Sequence, residues 1–390
     1  MKTRLKTFYS GKSVLVTGHT GFKGGWLTTW LKTLGARIIG YALPPEEGRP
    51  NLFSAANLER GVVSIMGDIR DFSSFFEVFK AYEPEILFHM AAQPLVRRSY
   101  ENPLETYATN IMGTVNVLEA ARQTPSVRVV VVITSDKCYE NREWIYAYRE
   151  NDPMGGRDPY SASKGAAELV TASYRDSFFH PDRFDEHYVS LASVRAGNVI
   201  GGGDWSEDRL VPDCVRSLVS GQRIPVRNPR AIRPWQHVLE PLSGYLWLAL
   251  KMHEDPTSHA GAWNFGPTVD GNATVETIVT KVIHEWGSGE WKNVSGPDAD
   301  ARHEATFLKL DCTKARTLLE WSAVLSLDKA IRKTTSWYKH YYFDPDFDAY
   351  DFSVRQIETY VNLARHAGIR WTGQNSEGGD NESQDRNIRT

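Results

Sequence analysis

The chain has 390 residues, 24% of them charged, and a formal net charge of -3; it is long enough for two domains or one large domain with an appendage, and offers no basic stripe for nucleic acid. The three cysteines, Cys138, Cys214 and Cys312, are far apart and form no CxxC pair, which argues against a disulfide framework or structural zinc and fits a reducing compartment. Met1–Gly11 is basic without the apolar core of a signal peptide, and no stretch approaches the roughly 18 to 20 apolar residues of a membrane span, so a cytoplasmic protein with no metal, nucleic-acid or membrane partner is expected.

Ser13–Thr17 is a short apolar run that stops at Gly18, as a buried parallel strand does. Phe22–Leu34 then turns helical, with Leu27, Leu31 and Leu34 at i, i+4 and i+7, Trp26 and Trp30 on the flank, and Gly35 closing it. Strands are expected at Arg37–Leu43, Val62–Ile65, Ile86–His89 and Arg128–Thr134, and helices at Ser73–Tyr82 and Leu104–Arg122. This alternation predicts an α/β fold: a Rossmann-type, doubly wound parallel sheet with helices on both faces.

The rhythm breaks at Cys138–Asp158, an irregular aromatic-rich segment, and resumes with a helix at Ser161–Phe178 and a strand at Val189–Val194. Beyond Asn198 come a GGGDW cluster, helices near Leu210–Ser220 and Glu240–Glu254, a strand at Ala262–Phe265 returning to the main sheet, and helices at Thr274–Trp286 and Leu327–Tyr342. The expected division is a dinucleotide-binding domain with the catalytic residues over 1–195, a smaller mixed α/β substrate-binding domain over 196–345, and a C-terminal extension over 346–390. Its polar tail from about Gly373 is expected to be disordered.

Gly18, Gly21 and Gly24 form G-x-x-G-x-x-G between the first strand and the first helix. Glycines there let the backbone approach a pyrophosphate, and the helix N-terminus, with Phe22 and Lys23, offers unpaired N–H groups. Tyr41, Ala42 and Leu43 occupy the stretch where a ribose-binding acid would mark NAD, and Arg37 lies too early to mark a 2′-phosphate, so both NAD and NADP stay open. Asp68, with Ile69 beside it, is a candidate for the adenine amino group or an ordinary turn aspartate. Ala91, Ala92 and Gln93 follow the fourth strand, where small residues let a cofactor lie against the sheet edge.

Tyr160 and Lys164 stand one helical turn apart on one face. A phenol of ordinary pKa near 10 is a poor base, and a neighbouring ammonium or an oxidised nicotinamide favours its phenolate. Ser135 ends the clearest strand and can share a substrate hydroxyl with Tyr160. Asp136 and Lys137 add an acid and a potential base that simple hydride transfer does not need; the bland alternative is a solvated turn.

Together, GHTGFKG, FHMAAQPLVRRSY, TSDKCYENREW, DPYSASKGAAE, SVRAGNVIGGGDW, IRPWQHV and WNFGP resemble the extended short-chain dehydrogenases/reductases, and within them the CDP-glucose 4,6-dehydratases. The resemblance implies a NAD-dependent lyase acting on a nucleoside-diphosphate hexose, CDP-D-glucose, in deoxysugar biosynthesis of the lipopolysaccharide O-antigen type. Tyr160 would deprotonate the C4 hydroxyl during oxidation, Asp136 would protonate the departing C6 hydroxyl, and Lys137 would remove the C5 proton or stabilise the enolate. The dTDP-glucose and GDP-mannose dehydratases carry glutamate where Lys137 stands, a departure that looks like the CDP-glucose branch. The resemblance further implies Asn198, Arg233, His303 and Arg195 as substrate ligands, Asn110 as a structural or water-holding residue near the nicotinamide, and a homodimer or homotetramer formed through Leu104–Arg122 and Ser161–Phe178. Competing readings are a 4-epimerase or reductase on the same fold, and a non-enzymatic cofactor sensor.

Overall fold

A computed structural model describes residues 3–295 and 307–373. Its main sheet holds seven parallel strands: β1 (Ser13–Thr17), β2 (Arg37–Ala42), β3 (Val63–Met66), β4 (Ile86–His89), β5 (Val129–Ile133), β6 (Ser190–Ala196) and β7 (Gly261–Phe265). They lie in the order β7-β6-β5-β4-β1-β2-β3, every neighbouring pair parallel. This is the doubly wound order, and the chain reverses direction across the sheet between β1 and β4, where such folds open a crevice at the strands' carboxyl ends. Strands β1, β4, β5 and β6 are buried throughout, which is why they read as unbroken apolar runs.

The helices that matter for the site are α1 (Phe22–Leu34), α2 (Gly113–Arg122), α3 (Pro159–Phe178), α4 (Leu210–Val219), α5 (Leu239–Glu254), α6 (Leu327–Phe343) and α7 (Ala349–His366). Gly35 closes α1 in the left-handed conformation, as its position in the sequence predicts. Trp26 and Trp30 are not flanking residues of α1 but fully buried ones. Trp26 donates to the Gly202 carbonyl at 2.9 Å, and Trp30 meets the rings of Tyr360 and Trp371. The C-terminal extension thus contains an ordered helix, α7, laid over α1; the tail beyond Gly373 is outside the described residues.

The continuous helix expected over Leu104–Arg122 is three pieces: Pro103–Tyr107, a π-helical turn at Ala108–Met112, and α2. A π-turn adds a residue to one turn and re-aims side chains, and such turns recur at functional sites. Here it carries Asn110 into the interior.

Beyond β6 the strands other than β7 are only two or three residues long. Three two-stranded pairs join Val199–Ile200 to Gln236–His237, Ile232–Pro234 to Asn272–Thr274, and Ile224–Val226 to Trp291–Asn293. These, with α4, form the wall facing the carboxyl edge of the main sheet.

Candidate active site

The turn after β1 is built for close approach. Gly18 sits at φ +76°, and a Cβ on Gly24 would fall 2.0 Å from the Gly18 carbonyl oxygen. Gly21, the N-cap of α1, offers no side-chain cap, so the first N–H groups and the positive end of the helix dipole are open to an anion. Steric emptiness plus donor groups fit a dinucleotide pyrophosphate. Arg37 begins β2, at the strand end opposite this turn, which removes it from a 2′-phosphate role.

Asp68 is already engaged: Arg70 gives it a backbone N–H bond of 2.9 Å and two guanidinium bonds of 2.8 and 2.5 Å. Its neighbour Ile69 is buried against Gly113 at the start of α2. Ala91 N–H bonds Thr17 Oγ1 at 3.2 Å, tying the loop after β4 to the end of β1. Gln93 is held by its own surroundings, with Nε2 donating to Thr106 Oγ1 at 2.9 Å and Oε1 accepting from Leu95 N–H at 2.6 Å. Asn110 accepts from Gln93 N–H at 2.8 Å and donates to Ser163 Oγ at 2.8 Å. It therefore links the loop after β4 to α3.

Tyr160 occupies the first turn of α3, which Asp158 caps by accepting from Ser161 N–H at 2.9 Å. Burial pushes the Tyr160 phenol up to about 12, while a hydrogen bond with Ser135 and the charge of Arg209 pull it down. Burial pulls the Lys164 ammonium down to about 8, opposed by Glu168; its Nζ donates to the Ile133 carbonyl at 3.4 Å. Arg209, a residue that sequence reading overlooks, is thus one cation that acts on the phenol.

Ser135 follows β5, donating to Asp136 Oδ1 at 3.0 Å and accepting from Lys137 N–H at 3.3 Å. Asp136 is 3% exposed, and its Oδ2 has no hydrogen-bond partner among the described residues. Burial raises its pKa from the ordinary value against the pull of Lys137, Ser135 and Arg233, a shift in the direction of the proton-carrying form. The second site lysine, Lys23, is pulled down to about 7 by burial and by Lys164 and Arg209, with Asp136 opposing.

These groups share a cleft of about 670 Å3 lined by Phe22, Lys23, Ser135, Asp136, Lys137 and Tyr160 on the sheet side. Asn198, Arg209 and Arg233 line the facing wall, and the cleft runs on to Val226, Arg227 and Trp235. Arg209 donates to Asp204 at 2.8 Å. It stands at the N-cap of α4, where a cation opposes the helix dipole. Lys23 in the first turn of α1 does the same. Two cations at helix N-termini facing one cleft are the signal, legible in principle, that an anion completes the site.

Arg195 requires a correction. It does not line the cleft; it lies under it, 3% exposed, with Nη2 on Glu168 Oε2 at 2.8 Å and Nη1 on the Tyr139 hydroxyl at 2.7 Å. A strand residue whose side chain points into the core reaches its partner on the covering helix rather than a ligand. His303 falls outside the described residues.

A glycine turn opening onto a free helix N-terminus, with Ser135, Tyr160 and Lys164 at the same sheet edge, defines a dinucleotide-dependent enzyme of the extended short-chain dehydrogenase/reductase type. Residues 15–334 match the family model described as GDP-mannose 4,6 dehydratase. The chain is 50% identical over 357 residues to a CDP-glucose 4,6-dehydratase of Salmonella typhimurium, covering 92% of this chain and 98% of that protein. It is 25% identical to a probable dTDP-glucose 4,6-dehydratase of Sinorhizobium fredii, covering 83% and 92%. In fold it resembles the dTDP-glucose 4,6-dehydratase of Bacillus anthracis in complex with NAD, with a TM-score of 0.70, 20% identity and coverage of 84% and 97%. The chain belongs to the GDP-mannose 4,6-dehydratase family.

Proposed function

We propose that the protein dehydrates CDP-D-glucose to CDP-4-dehydro-6-deoxy-D-glucose, using bound NAD. The observation that carries this reading is Asp136: a buried carboxyl, biased toward its protonated form, on the turn that also supplies Ser135 beside Tyr160. Reversible oxidation alone leaves such an acid without a task. The choice of CDP rests on the relative that is 50% identical.

When bound, NAD accepts the two electrons of C4 oxidation and returns them at C6, so the overall reaction is redox-neutral. Tyr160 takes the C4 hydroxyl proton, with Ser135 holding the same oxygen and Arg209 favouring the phenolate. The C4 ketone acidifies the C5 proton, which Lys137 removes or whose enolate it stabilises. Asp136 donates a proton to the departing C6 hydroxyl and one water leaves; as the hydrogen returns to C6, C5 takes back a proton and the 4-ketone is restored. Arg209, Arg233 and Asn198 receive the nucleoside diphosphate, guanidinium forks being suited to phosphate oxygens.

Residues 1–195 supply the cofactor side and 196–345 most of the sugar-nucleotide side in this reading, with β7 returning to the main sheet. Leu104, Met112, Leu169 and Phe178, exposed along the helical segments, support a homo-oligomer. No described helix is long and apolar enough to cross a membrane, and three buried, unpaired cysteines support action in the reducing cytoplasm.

The test is mass spectrometry after incubation with NAD and, separately, CDP-, dTDP-, UDP- and GDP-hexoses. Loss of one water from CDP-glucose alone is expected. Unchanged mass with every donor overturns the reading in favour of an epimerase or a sensor.

A further inference from the structure

The ion pair beneath the cleft has a placement that stability alone does not explain. Glu168 lies one turn after Lys164 on α3, and both its oxygens are satisfied. Oε1 accepts from Thr134 Oγ1; Oε2 accepts from Ser193 Oγ at 2.6 Å and from Arg195 at 2.8 Å. Burial pushes the Glu168 carboxyl up, but the Arg195 charge and these hydrogen bonds together hold it below its ordinary value. Arg195 in turn reaches the Tyr139 hydroxyl at 2.7 Å and the Glu150 carbonyl at 3.0 Å, with its guanidinium 4.8 Å from the Tyr139 ring centre. The Tyr139 hydroxyl donates to Asn264 Oδ1 at 2.7 Å, on β7.

Thr134 and Tyr139 are the residues that bracket Ser135, Asp136 and Lys137. One carboxylate–guanidinium pair therefore grips both ends of the acid-bearing turn and fastens them to the helix that carries Tyr160 and Lys164. A buried ion pair is commonly no more stabilising than apolar residues of like volume, so its value here lies in registering two sets of side chains. The first set oxidises C4; the second eliminates water across C5 and C6.

We propose that Glu168 and Arg195 are positioning residues that fix the Asp136–Lys137 turn relative to Tyr160 and Lys164, and so govern elimination more than C4 oxidation. The inference rests on the dehydratase reading. Tyr139 and Thr134 are the two points at which the pair takes hold of the turn, and either can be released with little change of volume.

Tyr139→Phe removes one hydroxyl and keeps the ring stacked on Tyr148. In stopped-flow absorbance of the NAD-loaded protein with CDP-glucose, the rise of reduced nicotinamide reports C4 oxidation and its decay reports elimination and return. We expect the decay to slow by roughly tenfold or more, with the rise changed by less than about threefold, since sub-ångström misplacement of a reacting group costs rate steeply. A purely structural role predicts a smaller amplitude with both rates unchanged, or both slowed by one factor; either result overturns the proposal. Should Tyr139→Phe not fold, Thr134→Val carries the same expectation from the other end of the turn. A wild-type protein that reduces no cofactor with any nucleotide hexose overturns the dehydratase reading and this inference with it. A wild-type protein that dehydrates, beside variants with unaltered decay, overturns the clamp alone.

Discussion

Along the edge of β1 and β4 the site is shaped by side chains that are missing, whereas the facing wall is shaped by long side chains that carry charge. At the first, Gly18, Gly21 and Gly24 leave room for a backbone-lined cradle, and a single Cβ would strike the Gly18 carbonyl. At the second, Arg209 and Arg233 reach into the cleft from short, irregular elements. The first surface tolerates almost no substitution because its recognition is steric and uses main-chain donors common to every dinucleotide. The second can be retuned residue by residue, which suits the side that reads the sugar nucleotide.

Three tests press on that contrast, the largest effect first. Gly24→Ala is expected to cost ~3 kcal/mol or more, through overpacking that rigid backbone cannot relieve, and to abolish NAD binding. The control is Gly61→Ala, at φ +75° with open space around it, where the left-handed backbone alone costs about 1 kcal/mol. Thermal melting and cofactor titration check both, and equal losses would undo the steric account.

Arg209→Gln is expected to raise KM for the nucleotide sugar by roughly 10- to 100-fold, the worth of one or two charged hydrogen bonds. NAD affinity should change far less, so titrating both ligands separates the two walls. A variant that loses NAD and sugar affinity alike would mean that the walls are not independent.

The smallest effect at neutral pH comes from Lys164, whose ammonium is pulled down to about 8. Below that value it is charged, and the sequence reading has it join Arg209 in favouring the Tyr160 phenolate; as pH rises through it, the charge is lost and that support with it. Turnover should fall on the alkaline side by roughly tenfold per pH unit above about 8. A kcat profile flat to pH 10 would contradict that role.

The contrast also explains what the sequence disclosed. Buried parallel strands read as apolar runs and glycine spacing survives in one dimension, so β1, α1, β4, β5 and the turn between β1 and α1 were legible within a residue or two. The C-terminal helix α7 was not, because its buried face includes Ser353 and Gln356, which blur the apolar period. The π-turn at Ala108–Met112 was hidden inside a good helical pattern. The role of Arg195 is not legible because its partner, Glu168, lies 27 residues away in sequence and is brought to it by tertiary packing; that of Arg209 is not, because it depends on the cleft it faces. Arg209 left a trace, a cation at a helix start, while Arg195 left none beyond an arginine in a buried strand.

The central claim is that C4 oxidation is followed by elimination and return of the same hydrogen at C6. CDP-D-glucose deuterated at C4, incubated with the NAD-loaded protein and examined by NMR, tests it directly. The account predicts a product lighter by one water with the deuterium at C6. Deuterium found at C4 of a hexose of unchanged mass would contradict it and make the protein an epimerase.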